Sequence, residues 1–178
     1  TGDLGTDSTM HVRARIVAPE EFVVVTSGEE LRSAPVLDPA DRPRRRETLV
    51  HAGAIRDFAV LAGATLVTSA RDVDGVVVRS HYLAGDAEAG RRVLDVACAA
   101  MEVFERRFGS YPYRELDLVE AALLGGAGGI EFSGLVTVAS MFYRPAMPGG
   151  LMGLLGGGEG GGETGLGSLG GLGEFLGG

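Results

Sequence analysis

The chain has 178 residues and a formal net charge of −8, from 16 basic and 24 acidic side chains, and every lysine-or-arginine position holds arginine. That balance excludes a nucleic-acid footprint, which needs a basic face, and the length admits one domain or pieces of two. A single cysteine, Cys98, excludes an internal disulfide. No run of about 18 apolar residues is present to span a membrane. The first residues lack the basic-then-apolar order of a signal peptide, so the compartment stays open.

From residue 10 the pattern is strand-like, with Val12, Ala14 and Ile16 on one face. Pro19, Glu20 and Glu21 mark a turn. Residues 22–26 (FVVVT) form a strong strand that residues 27–30 should stop. Three prolines and the arginine run 44–46 make 33–47 read as a loop. Strand character resumes over 48–61, 65–68 and 76–83, and Asp74-Gly75 between two β-rich runs is a hairpin signal.

Residues 86–108 change period. Val93, Leu94, Ala97, Cys98, Met101, Phe104 and Phe108 recur at three- and four-residue steps, one apolar helical stripe. Asp86 suits the N-cap. Arg106 and Arg107 suit the last turn, and Gly109 the stop. Cys98 reads as a small core residue. Tyr111-Pro112-Tyr113 reads as a rigid connector whose rings pack. Residues 116–124 and 130–140 read as two further strands. Beyond Pro148, residues 149–178 are about half glycine with leucine as the main partner, a composition that predicts a flexible segment.

His11, His51 and His81 are far apart, and none pairs as H-x-x-x-H. Each reads as a surface or strand histidine, and the chain presents no metal ligands. No serine nucleophile elbow appears. Glu120 reads as a strand-end charge or an acid behind the site. The most informative run is Gly128-Gly129-Ile130-Glu131-Phe132-Ser133-Gly134. Here a lone carboxylate follows glycines that let the backbone approach a ligand or another strand.

Two segments occur in order: F-G-x-Y-P-Y-x-E-L-x-L-V-E over 108–120, and G-G-x-E-x-x-G-L-V over 128–136. Together they resemble the aminopeptidase N family of gluzincin zinc metallopeptidases. Gly128, Gly129, Ile130, Glu131 and Phe132 fill the family signature Gly-x-Met-Glu-Asn, with Ile for Met and Phe for Asn. Arg56-Asp57-Phe58-Ala59 also resembles the family's R-D-F-A strand. The resemblance spans residues 10 to 140.

It implies an α+β chain. Residues 1–78 would be the later part of an N-terminal β-sandwich-like domain. Residues 79–148 would be the opening mixed sheet and helix of a thermolysin-like catalytic domain, and 149–178 a flexible Gly/Leu-rich tail. It implies a fragment of a zinc-dependent aminopeptidase that removes N-terminal residues from peptides. Glu131 would bind the free α-amine, with Gly128, Gly129 and Ile130 lining the peptide. Zinc would belong to the full-length enzyme, on an H-E-x-x-H helix beyond this segment, so this chain alone is expected to be inactive. The alternative is a non-catalytic β-rich scaffold or binding module of the same descent.

Overall fold

Cross-strand side-chain pairs organise the first sheet. β1 (Met10–Pro19) runs antiparallel to β4 (Arg45–Ile55), and β3 (Glu29–Pro35) flanks β4 on its other side. In the computed structural model, which describes residues 8–37, 40, 44–123 and 127–144, the chain is α+β, with ten strands in three sheets and one long helix. The Gly/Leu-rich segment 149–178 lies outside the described residues.

The proline- and arginine-rich stretch 33–47 is therefore not all loop. β3 continues through Pro35, and β4 begins at Arg45. β4 buries Thr48, Val50, Ala52 and Ile55, and Glu47 links the three strands at their surface. Its carboxylate accepts from Arg15 Nε at 2.7 Å and Arg32 Nη2 at 2.9 Å, one cation from each flanking strand. The Arg15 hydrogen bond holds the Glu47 carboxyl below its usual range. Pro35 ends an edge strand, where a missing N–H is tolerated.

The strand expected over 48–61 is interrupted. β4 stops at Ile55, which is fully buried, after Ala54 takes a left-handed φ of 55°. The chain resumes as β5 (Val60–Gly63), paired antiparallel with β2 (Val23–Thr26). Buried Ser27 clamps the join. Its N–H donates to the Ala59 carbonyl at 3.0 Å, and its Oγ accepts from the Ala59 N–H at 3.1 Å.

The third sheet is mixed. β6 (Leu66–Val73) and β7 (Val76–Leu83) form the expected hairpin. Asp74 and Gly75 both take positive φ, 50° and 88°, as a two-residue turn matched to strand twist requires. β7, β8 (Glu115–Ala121) and β10 (Leu135–Ala139) are parallel, and β9 (Gly129–Phe132) is an antiparallel edge. The strand order is β6-β7-β8-β10-β9. Residues 130–140 are thus a hairpin rather than one strand, turned at Ser133-Gly134 with Gly134 at φ 78°.

Helix α1 (Ala87–Phe108) makes the crossover between parallel β7 and β8. Leu94, Ala97, Cys98 and Met101 bury against Val73, Val76 and Val78. Phe104 and Phe108 stay 57% and 81% exposed, although they share the stripe. The reason is placement: α1 packs mainly on β6 and β7 and scarcely reaches β8. Asp86 occupies the N-cap position without a capping bond, its carboxylate 3.9 Å from Arg144 Nε.

Gly90 carries a sharp test of this packing. A Cβ there would overlap the Tyr82 ring, whose hydroxyl is bonded to Ser69 Oγ at 2.6 Å. In an open helix Gly→Ala stabilises by about 1 kcal/mol. Here Gly90→Ala should instead destabilise by about 1–3 kcal/mol through overpacking. A urea midpoint equal to or above the parent's would show that the helix does not sit tightly on Tyr82.

Candidate functional site

Hydrogen-bond phase decides what β9 offers to its surroundings. The Ala139 N–H donates to the Gly128 carbonyl at 2.9 Å, which makes Gly128–Ala139 a hydrogen-bonded pair. Antiparallel pairing alternates, so the next such pair is Ile130–Thr137. Thr137 Oγ1 reinforces it, accepting from the Ile130 N–H at 3.1 Å and donating to its carbonyl at 3.2 Å. Gly128 and Ile130 therefore turn their main-chain groups inward to β10. Gly129 and Glu131 turn theirs outward to the open edge of the sheet.

Gly129 is required by this closeness. A Cβ there would lie 2.8 Å from the Thr137 carbonyl oxygen. At Gly128 a Cβ would come within 3.2 Å of the Phe142 ring.

The same register sets the faces. Glu131 stands opposite Val136, and Val136 opposite Leu118, which packs beside α1. Glu131 thus belongs to the helix-bearing face. Ile130 and Phe132 belong to the other, where Phe132 packs against Val25, Val119 and Leu135. Ile130 is 41% exposed there. The Glu131 side chain is exposed and makes no hydrogen bond or ion pair among the described residues. On its face the described residues leave the sheet only half covered. A trough of about 1010 Å³ runs beside α1, floored by Leu116, Leu118 and Val138 and edged by Phe104, Phe108 and Phe142.

Two polar clusters escape sequence reading. On the face away from α1, His81 Nε2 lies 2.9 Å from Asp117 Oδ1, and its Nδ1 lies 2.9 Å from Thr68 Oγ1. Arg79 donates to Glu115 at 3.0 Å and stands 3.6 Å from Asp117. The Glu115 hydrogen bond holds the guanidinium above its already high pKa. These groups line a cavity of about 420 Å³ against Thr26, Glu30 and Thr48. A hydroxyl, an imidazole and a carboxylate in line invite comparison with a nucleophilic triad. Here, however, the hydroxyl meets Nδ1 and the carboxylate meets Nε2, the reverse of a triad, and Arg79 stands beside that carboxylate; the groups link β6, β7 and β8 in one polar network. The alternation of Arg79 with His81, and of Glu115 with Asp117, was the available signal. It becomes legible only once β7 and β8 are known neighbours.

The second cluster lies at the carboxyl ends of the parallel strands. Glu120 is buried, and its Oε2 accepts from the Leu83 N–H at 2.9 Å. Glu120 Oε1, Ser80 Oγ and Tyr143 Oη are buried without a hydrogen-bond partner among the described residues.

The described residues do not fit a zinc site. No group of three or more His, Cys, Asp or Glu side chains among them is placed to hold a metal ion. His11 and His51 are stacked at 6.4 Å on the first sheet, and His81 is committed to Thr68 and Asp117. Among the described residues no helix is long and apolar enough to cross a membrane. Comparison with protein-family models gave no match, and comparison with the curated proteins gave none.

Two phenols give the region a pH signature. Burial, and then the charges of Glu120 and Asp86, push Tyr143 up to about 12. Burial, then Tyr113 and Asp117, push Tyr111 to about 12. Ionisation is harder in the folded state than in the unfolded, where tyrosine titrates near pH 10. The stability each phenol contributes is therefore complete below about pH 10 and lost as pH rises toward 12. Urea stability should fall across that window, and Tyr143→Phe should flatten the fall. An unaltered slope in the Phe variant would show that Tyr143 is not buried in this way.

Proposed function

We propose that this chain is the part of a zinc-dependent aminopeptidase that receives the N-terminus of a peptide. One observation carries the reading. Glu131, a carboxylate with no partner among the described residues, stands on an edge strand whose outward main-chain groups belong to Glu131 itself and Gly129. An extended peptide can add to such an edge by main-chain hydrogen bonds. Its α-ammonium then meets Glu131 in a charge-assisted contact, roughly twice as strong as a neutral hydrogen bond.

The match of 128–132 to the Gly-x-Met-Glu-Asn signature supports the assignment. So does the order of a β-rich region followed by a mixed sheet and helix, as in the opening of a thermolysin-like domain. The described residues are assigned binding and orientation alone. Recognition of a free amine next to the scissile bond would make such an enzyme remove terminal residues rather than cut internally.

Phe132 favours a second reading. It stands where the signature has Asn and packs into the core. A non-catalytic module that captures extended peptides would need that packing and the open edge, but no amine selectivity.

Amide chemical shifts of residues 128–132 separate the two. They should be followed while titrating a leucine-initiated tripeptide and its N-acetylated form. The free-amine peptide should bind about tenfold tighter, the value of one hydrogen bond to a charged group. Glu131→Gln should abolish the difference. Equal binding of both peptides to the parent would favour the strand-capturing module. No binding of either would reject both readings of this edge.

A further inference from the structure

We infer that Asp57, 74 residues before Glu131 in the chain, is a positioning residue for it; this rests on the reading of Glu131 as the amine-binding group. Asp57 Oδ1 accepts a hydrogen bond from the Ser133 N–H at 3.2 Å. Ser133 is the first residue of the two-residue turn that closes the β9–β10 hairpin, immediately after Phe132. An edge strand has a neighbour on one side only, so β9 is held laterally by β10 alone. Asp57 supplies a hold at the turn, from outside the sheet.

The strut is anchored at its own base. Asp57 lies in the irregular segment between β4 and β5. Upstream, Ile55 is fully buried. Downstream, Ala59 is bonded twice to buried Ser27. Beside the turn, Phe132 packs with Val25 and Leu61, which come from the small β2–β5 sheet next to that segment. Glu131 thus sits directly before two residues that are fixed to the N-terminal β-region, one by a hydrogen bond and one by packing. In a two-residue hairpin a displaced turn displaces the strand before it, and with it the carboxylate.

The test uses this chain with Asp57→Ala and Asp57→Asn, and Glu131→Gln beside them. Two readouts serve: exchange of the Ser133 amide, and the ratio of Kd values for the acetylated and free-amine tripeptides. In Asp57→Ala the Ser133 amide should exchange about tenfold faster, and the Kd ratio should fall about three- to tenfold, the scale of one lost hydrogen bond to a charged acceptor. Asp57→Asn keeps an acceptor oxygen but loses the charge assistance, so it should fall between the parent and Asp57→Ala in both readouts. If the Kd ratio falls in Asp57→Asn while the Ser133 amide keeps the parent's exchange rate, Asp57 acts by its charge on the peptide, and the positioning role is overturned. It is overturned equally if Asp57→Ala changes neither readout while Glu131→Gln still abolishes amine preference. If the parent shows no amine preference at all, the reading of Glu131 fails instead. The exchange rate then still reports whether the strut exists.

Discussion

Burial on both faces of β7 and β8 governs the geometry of the site. Val78 is fully buried beneath α1, and Val119 on the adjacent strand is buried on the opposite face, against Val25 and Leu135. Because side chains alternate with period two, a slip of one residue in β7 would turn Arg79 and His81 toward α1 and Val78 toward the polar cavity. The β7–β8 register is therefore strongly specified. It passes through Leu118–Val136 to Val136–Glu131, so the face on which Glu131 stands is fixed two strands away from the core that determines it.

The same parity divides the polar chemistry. Odd-numbered residues of β7 and β8 place Arg79, His81, Glu115 and Asp117 together below the sheet. Even-numbered ones place Ser80 and Glu120 above it, where Tyr143 closes over them. Each cluster is costly to bury wherever its members lack partners. In the lower cluster they meet, through the His81–Asp117 and Arg79–Glu115 contacts. These pairs tie the central strands to one another at positions where an apolar pair would have packed without direction.

Legibility in the sequence followed the range of the interaction. The Asp74-Gly75 turn and α1 were readable because their causes lie within a few residues: positive φ at two positions, and an apolar stripe. The segment 33–47 looks like loop because its local proline and arginine content hides a long-range cause, the pairing of β3 and β1 on either side of β4. Residues 130–140 look like one strand in the sequence because Ser133-Gly134 is a weaker turn signal than Asn-Gly or Asp-Gly. At the site, Glu131 and its glycines stood out by motif. That Gly129 and Glu131 face outward while Gly128 and Ile130 face β10 needed the hydrogen-bond phase, which no sequence pattern encodes. Asp57 could be seen only as part of a motif, since its partner lies 76 residues on.

The half-covered face of the mixed sheet also bears on thermodynamics. Among the described residues Phe104, Phe108, Phe142 and Val96 remain largely in water along the trough. Such surface is hydrated before unfolding as well as after it, so it adds nothing to the change in heat capacity, which tracks newly exposed apolar area. A folded unit of this kind has a flatter dependence of stability on temperature than a fully covered sheet of equal length. The same area is missing from the denaturant slope, which also scales with the surface exposed on unfolding, so stability falls less steeply with urea as well.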